Sequence, residues 1–219
     1  MDELVLHIRE NREILLEIIE KGVVQTKNLS PDILQDCISQ SFSFLYHSGL
    51  LPSNTIHISK NPMENSTTLV LDYDEGSADL NYMGAVYRDF PLPRILFQFQ
   101  IENSGRISSV WLKIVPKGRL DNETACFLWP FSNVRHDSSL CLGCNELPHV
   151  DDLQRLKHLP RFILELPCND DLFDSSKNQM GFSLSDLLEH LKDKESSYYY
   201  DKILIPQPGE KLAHFLKKE

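Results

Sequence analysis

The sequence predicts an α+β fold: an antiparallel meander sheet with flanking helices, carried behind an N-terminal extension. Three observations predict it. Between Thr67 and Val115, apolar β-branched runs are separated by tight turns, the pattern of hairpin-connected strands. Behind Ser30 and again behind Ser183, Ile and Leu recur at the spacing of an amphipathic helix. The polar stretch from Pro52 to Ser66, with Asn54, Asn61, Pro62 and Asn65, reads as a linker or surface loop. Residues 1–50 are therefore taken as the extension and 51–219 as the main domain.

In order along the chain, Leu4–Ile8 and Ile14–Ile19 are apolar runs broken by Arg9–Glu13. They read as a β-hairpin, with a single amphipathic helix over Leu4–Ile19 as the alternative, because short apolar runs do not separate by periodicity. Gly22 ends that segment. Ser30-Pro31 opens a helix, Ser as N-cap and Pro at the first helical position. Ile33, Leu34, Cys37, Ile38 and Leu45 continue it, Phe42 and Phe44 add bulk, and Gly49 and Pro52 stop it. Cys37 falls on the apolar face and reads as a small core residue.

Thr67–Tyr73 is a strand and Asp74-Glu75-Gly76-Ser77 a turn. Tyr82–Tyr87 reads as an irregular strand, and Pro91 and Pro93 are expected to prevent regular pairing around them. Ile95–Ile101 and Ile107–Val115 are strands joined by the turn Asn103-Ser104-Gly105, a meander closed by Pro116-Lys117-Gly118. Asp151–Leu156 is a short helix begun by an acidic pair. Ser183 caps a helix over Leu184–Leu191, with Leu184, Leu187, Leu188 and Leu191 on one face. Tyr198–Tyr200 and Ile203–Ile205 belong to the packing at places the pattern does not fix, and Pro208–Lys218 reads as a last short helix.

Composition narrows the function classes. The chain has 219 residues, 41% of them hydrophobic, enough for a sizeable core. Lys+Arg 22 against Asp+Glu 32 gives a net charge of −10, which argues against nucleic acid as a partner, since phosphate binding needs a basic footprint. No run of apolar residues is long enough for a membrane span, and Met1-Asp2-Glu3-Leu4 lacks the basic start of a signal peptide. Five cysteines, an odd number without framework spacing, fit a reducing cytoplasm.

The most informative stretch runs from Phe131 to Gly143. Cys141 follows the polar turn Arg135–Ser139 and sits between two leucines, and Asn133 lies eight positions upstream (141 − 133). A cysteine thiolate is a nucleophile that can carry an acyl group. An asparagine amide can donate a hydrogen bond to the oxyanion formed in acyl transfer. The plainer reading is a buried structural cysteine and an asparagine that satisfies the backbone of its turn. Cys141-Leu142-Gly143-Cys144 also admits a dithiol redox site, or a zinc site completed from Cys126, His136, His149 and Cys168, although a second Cys-x-x-Cys pair is missing. His136 and Asp137 lie in the turn as candidate acid–base groups or as a solvated turn. No Gly-rich phosphate loop is present, so no cofactor is expected.

The same stretch resembles the catalytic segment of ubiquitin-conjugating enzymes: His-Pro-Asn, an apolar residue, a short turn, then an apolar residue, Cys and Leu. Asn133, Val134, Cys141 and Leu142 match that pattern, whereas Phe131 and Ser132 stand in place of His and Pro. The chain is more similar to a bacterial branch, the prokaryotic ubiquitin-conjugating-enzyme-like family D (PRTRC system protein B type), in Pro130-Phe131-Ser132-Asn133-Val134 and Leu140-Cys141-Leu142-Gly143. The resemblance covers Leu50 to Pro206 and leaves out the first 48 residues. It implies a ubiquitin-conjugating-like fold, with a meander sheet before a weakly structured segment that holds the cysteine. It implies a cysteine-dependent acyl transferase in which Cys141 carries a ubiquitin-like protein as a thioester and Asn133 stabilises the oxyanion. The partners it implies are a ThiF-like activating enzyme that uses ATP, a ubiquitin-like protein and a JAB-type peptidase, in a cytoplasmic bacterial system with antiphage defence among its settings. In that family an acidic residue past the cysteine assists the incoming lysine; Asp170, Asp171 and Asp174 stand at a suitable place, and no motif selects one. Two other functions stay open: a ubiquitin-conjugating-like module that only binds a partner, and a zinc-stabilised interaction domain.

Overall fold

The computed structural model describes residues 3–9, 13–41, 48–61, 64–74 and 76–218. The chain divides into two compact units, residues 1–48 and 49–219.

In the first unit, β1 (Glu3–Ile8), β2 (Ile14–Glu20) and β3 (Val23–Leu29) form an antiparallel meander, in register from Glu3 opposite Ile19 and from Ile14 opposite Leu29. The hairpin reading of the first two runs is the one observed. Gly22 does not end the segment: Lys21 and Gly22, both at positive φ, make a tight turn into β3. That polar strand lacks the apolar density that marks strands in sequence. Helix α1 (Pro31–Ser41) starts as expected, with the Ile33 N–H donating to Ser30 Oγ at 3.3 Å. Its expected continuation through Phe42, Phe44 and Leu45 lies outside the described residues. Cys37 is exposed, a correction to its reading as a core residue.

The second unit is mixed α and β. Its main sheet has six strands in the order β12-β10-β9-β8-β5-β4: β4 (Thr55–Asn61), β5 (Ser66–Tyr73), β8 (Ile95–Glu102), β9 (Ile107–Ile114), β10 (Ala125–Phe127) and β12 (Pro206–Lys211). β4 corrects the expectation of a loop from Pro52 to Ser66. Its sequence is polar because it is an edge strand beside β5 and only partly buried. Between β5 and β8 the chain leaves the sheet to make a hairpin, β6 (Gly76–Tyr82) and β7 (Ala85–Leu92). The expected irregular strand over Tyr82–Tyr87 is in fact the tip of this hairpin, turning at Met83-Gly84, both at positive φ. Pro91 does pair, opposite Ser77; β7 is the edge of its sheet, where a missing N–H is tolerated.

Alternation along the strands sorts side chains to two faces. Leu69, Leu71, Phe97, Phe99, Leu112 and Ile114 point into the larger core. That core also takes Phe90 and Leu92 from the hairpin, and helices α2 (Leu159–Leu164), α3 (Leu184–Leu191) and α4 (Tyr198–Lys202). Val70, Leu96, Trp111 and Val115 point the other way, against Cys126 and the C-terminal α5 (Leu212–Phe215). Ser183 caps α3, its Oγ accepting from the Asp186 N–H at 3.2 Å, and the four predicted leucines are buried. Asp152 caps a 3₁₀ turn at Leu153–His158, where the acidic pair predicted a helix. Tyr199 is fully buried and donates to Pro91 O at 2.8 Å, joining α4 to β7. The expected helix over Pro208–Lys218 is half strand: β12 runs to Lys211 before α5 begins. Among the described residues no helix is long and apolar enough to cross a membrane.

Candidate functional site

β10 meets β9 only at Phe127 opposite Ile114. The rest of that edge of β9 is taken by the segment before Cys141. Leu140 N–H donates to Val110 O at 2.8 Å, Leu112 N–H donates to Ser138 O at 3.0 Å, and Ser139 bridges Trp111. Val134 pairs antiparallel with Leu140, and the loop between them is closed by Arg135 N–H to Ser139 O at 2.9 Å and Ser138 N–H to Arg135 O at 3.0 Å. Asp137 fastens this loop by accepting from Ser139 N–H (2.9 Å) and Oγ–H (2.7 Å), bonds that hold its carboxyl below the usual carboxylate range. The polar turn read from sequence is thus a small hairpin loop anchored on the sheet.

The hairpin brings its two ends together. Cys141 N–H donates to Asn133 O at 2.7 Å, and Asn133 N–H donates to Asp171 O at 3.2 Å. Asn133 has φ 62, the left-handed region that Asn tolerates better than most residues. Cys141 and Asn133 line one groove of about 240 Å³, shared with Leu142, Asn145, Cys168 and Asp171. Cys141 is half-buried. Neither its thiol nor the Asn133 side-chain amide has a hydrogen-bond partner among the described residues. The positions before Asn133 are structural. Phe131 packs its ring against Trp129, Tyr199 and Phe90, and Trp129 Nε1–H donates to Ser132 O at 2.9 Å.

The other candidates separate. Of the three acidic residues, Asp171 lines the groove. Asp170 accepts from Tyr82 Oη–H at 2.8 Å, a bond that pushes the Tyr82 phenol up to about 12. Asp174 caps the 3₁₀ turn Ser175–Lys177. His136 and Asp137 line a different cleft. Cys144 is exposed on the turn Leu142–Asn145, and no helix opens at Cys141 as a dithiol redox site would have it. Cys126 is buried on the far face of the sheet, where burial pushes its thiol up to about 11. His149 pairs with Asp151 at 3.0 Å beside the Gly105 turn. Among the described residues no group of three or more His, Cys, Asp or Glu side chains is placed to hold a metal ion.

Cys168 is a groove residue that the zinc alternative named for another reason. Burial pushes its thiol up, partly offset by a hydrogen bond from Ser132. Its place followed from no motif, because β11 (Pro167–Cys168) reaches the site through a parallel pairing with β6 some 86 residues earlier (Cys168 opposite Tyr82). Comparison with protein-family models, with curated proteins and with solved structures finds no match to this chain.

Proposed function

We propose that Cys141 carries a ubiquitin-like protein as a thioester and transfers it to a target, with Asn133 as the oxyanion donor. One observation carries the reading: a cysteine and an asparagine eight positions apart share one groove, each with a side chain that no described residue engages. The run β4-β5-β8-β9 followed by an extended segment holding the cysteine, with helices after it, supports a ubiquitin-conjugating-like fold.

In this chemistry the Cys141 thiolate attacks the carbonyl carbon of an acyl group held on the activating enzyme. A tetrahedral oxyanion forms, and the activating enzyme's thiolate leaves as the carbonyl is restored. The second transfer repeats the sequence with an acceptor amine or hydroxyl as nucleophile and Cys141 as leaving group. The Asn133 amide donates to the oxyanion of this second transfer. Asp171 lines the same groove, its carboxylate accepting from Asn169 Nδ2–H at 3.0 Å, and is the acidic residue we assign to take the proton that an acceptor amine gives up. The partners of this reading are a ThiF-like activating enzyme with ATP, the ubiquitin-like protein and a JAB-type peptidase that removes it, all in the cytoplasm.

The test mixes the protein with the activating enzyme, the ubiquitin-like protein and ATP, followed by non-reducing gel and intact mass. A thiol-labile adduct should form, vanish in Cys141→Ala and persist in Cys144→Ala and Cys168→Ala. Asn133→Ala and Asp171→Asn should charge but discharge slowly, by about ten- to a thousandfold for the oxyanion donor. No adduct with a competent activating enzyme would replace this reading by that of a partner-binding module.

A further inference from the structure

The first unit ends in an unprotected sheet edge. β1 is an edge strand of its meander. It pairs with β2 from Glu3 to Ile8 without a register shift, and it holds neither proline nor lysine. Beyond it, Arg9 N–H donates to Glu13 O at 3.0 Å. Bonded and non-bonded pairs alternate along an antiparallel ladder, so Val5 and His7 also bond to β2. The N–H and C=O groups of Leu4, Leu6 and Ile8 therefore point to the free edge. Among the described residues no backbone group pairs with them.

The side chains of the same three residues share one face of the sheet with Ile18, Leu16 and Ile14, directly opposite them on β2. Leu4 is 69% exposed, Leu6 39% and Ile8 67%. An exposed apolar edge is a template for another strand, and folded chains blunt such edges with charge, proline, bulges or short strands. The other edges of this protein are blunted in those ways. β4 carries Lys60 and a register shift between Thr55 and His57. β7 carries Pro91, β12 carries Pro206 and Pro208, and β11 is Pro167–Cys168 alone. β3, the far edge of the same meander, is polar through Gln25, Lys27 and Asn28. β1 has none of these devices.

The strand is also complementary to itself. Laid antiparallel on a second copy with Leu6 opposite Leu6, it sets Leu4 opposite Ile8, Val5 opposite His7, and Glu3 opposite Arg9. In this register every outward-pointing residue meets another outward-pointing residue, so each free N–H finds a free C=O. Opposite charges meet at both ends, and the apolar face continues from one copy into the next. Arg9 is exposed, 3.6 Å from Glu13, and its guanidinium has donors for both carboxylates. A two-fold axis through the Leu6 pair closes the contact as a dimer, with only the polar β3 left at each end.

We propose that β1 pairs antiparallel with β1 of a second copy of this chain, joining two meanders into one six-stranded sheet. The proposal does not rest on the thioester reading, because Cys141 and Asn133 belong to the other unit.

The test is sedimentation equilibrium of the full chain over a concentration series, joined to hydrogen exchange read amide by amide by NMR. A contact between two strands is smaller than a standard interface, so the expected dimer dissociates in the micromolar range. The amides of Leu4, Leu6 and Ile8 should become protected as the dimer forms, whereas those of Val5 and His7 should be protected throughout. Leu6→Pro removes an N–H that points away from β2 and should weaken the dimer by about tenfold or more. Glu3→Lys and Arg9→Glu each set like charges opposite one another and should weaken it severalfold. Combining the two restores opposite charges in reverse and should recover most of the affinity, which carries the test if Leu6→Pro fails to fold. A chain that stays monomeric throughout the series, a dimer in which the Leu4, Leu6 and Ile8 amides exchange freely, or a double variant as weak as the single ones would overturn the proposal.

Discussion

Lys113 supplies a stability prediction with a definite pH window. It lies on β9 between Trp111 and Val115, on the face covered by α5, and its side chain is 2% exposed. Its Nζ donates to Gln207 Oε1 at 2.7 Å and sits 3.9 Å from Glu210 Oε1. Burial, reinforced by the charge of Lys218, pulls the amine down from 10.5 to about 8, and Glu210 offsets only part of this. Between those values the unfolded chain binds a proton that the folded chain does not, so stability rises with pH, by about 3 kcal/mol across the window. Cys126, on the same face, acts in the opposite sense. Its thiol stays protonated to about 11 in the fold but ionises near 9.0 in the unfolded chain, so stability falls between those values. Each slope is about 1.4 kcal/mol per pH unit. The wild type should therefore gain about 1.4 kcal/mol from pH 8 to 9 through this pair and stay level to 10.5. Relative to the wild type, Lys113→Met should lose the rise and decline from pH 9, while Cys126→Ala should keep rising to 10.5. Urea denaturation followed by Trp fluorescence at half-unit steps of pH measures all three. If the wild type and Lys113→Met run parallel from pH 8 to 10.5, the buried-amine argument fails.

Three further outcomes test the packing that holds the site. Gly105→Ala should cost about 1–3 kcal/mol or more, because φ 87 is strained for any side chain and the added Cβ would lie 2.5 Å from Val150 O; urea midpoints report it. Tyr199→Phe should cost about 1–3 kcal/mol, since it leaves Pro91 O without its donor in the core, and differential scanning calorimetry reads the loss. Asp72→Asn breaks a largely buried pair with Arg94 (Nη2 to Oδ2 2.6 Å) whose bond holds the guanidinium above its usual range; about 3 kcal/mol should go, seen in equilibrium unfolding.

What the sequence could and could not disclose follows from the kind of interaction involved. Helix α3 and the strands β5, β8 and β9 were legible because each carries its own signal: a Ser cap, four leucines at helical spacing, alternation between two buried faces. β3 and β4 were not, because β3 is exposed at every residue but its last, β4 is only partly buried, and a polar strand resembles a loop until its partner is known. Pro91 misled for a related reason: the penalty for proline depends on whether a strand is central or at an edge, and only the pairing tells. Within the groove, the link from Asn133 to Cys141 is local and could be read as spacing. Asp171 and Cys168 arrive through long-range contacts, so the choice among Asp170, Asp171 and Asp174 had no signal in the chain.

The β6–β7 hairpin explains how a groove can be built from coil. The wall opposite Cys141, from Pro167 to Asp171, has almost no regular structure of its own. It is held from behind: Pro167 pairs with Asn81 and Cys168 with Tyr82, Met83 N–H donates to Cys168 O at 2.9 Å, and Tyr82 Oη–H reaches Asp170 at 2.8 Å. The next residue, Asp171, accepts from Asn133 N–H through its carbonyl. The other side of the groove rests on β9 through Leu140 and Ser138. Asn133 is thus fixed from two directions, by the main sheet through Cys141 and by the inserted hairpin through Asp171. A left-handed φ at a non-glycine residue persists where its surroundings over-determine it. The hairpin that departs from a simple four-strand meander is for this reason part of the groove's support, and the groove depends on a contact between residues 88 apart in sequence, Tyr82 and Asp170.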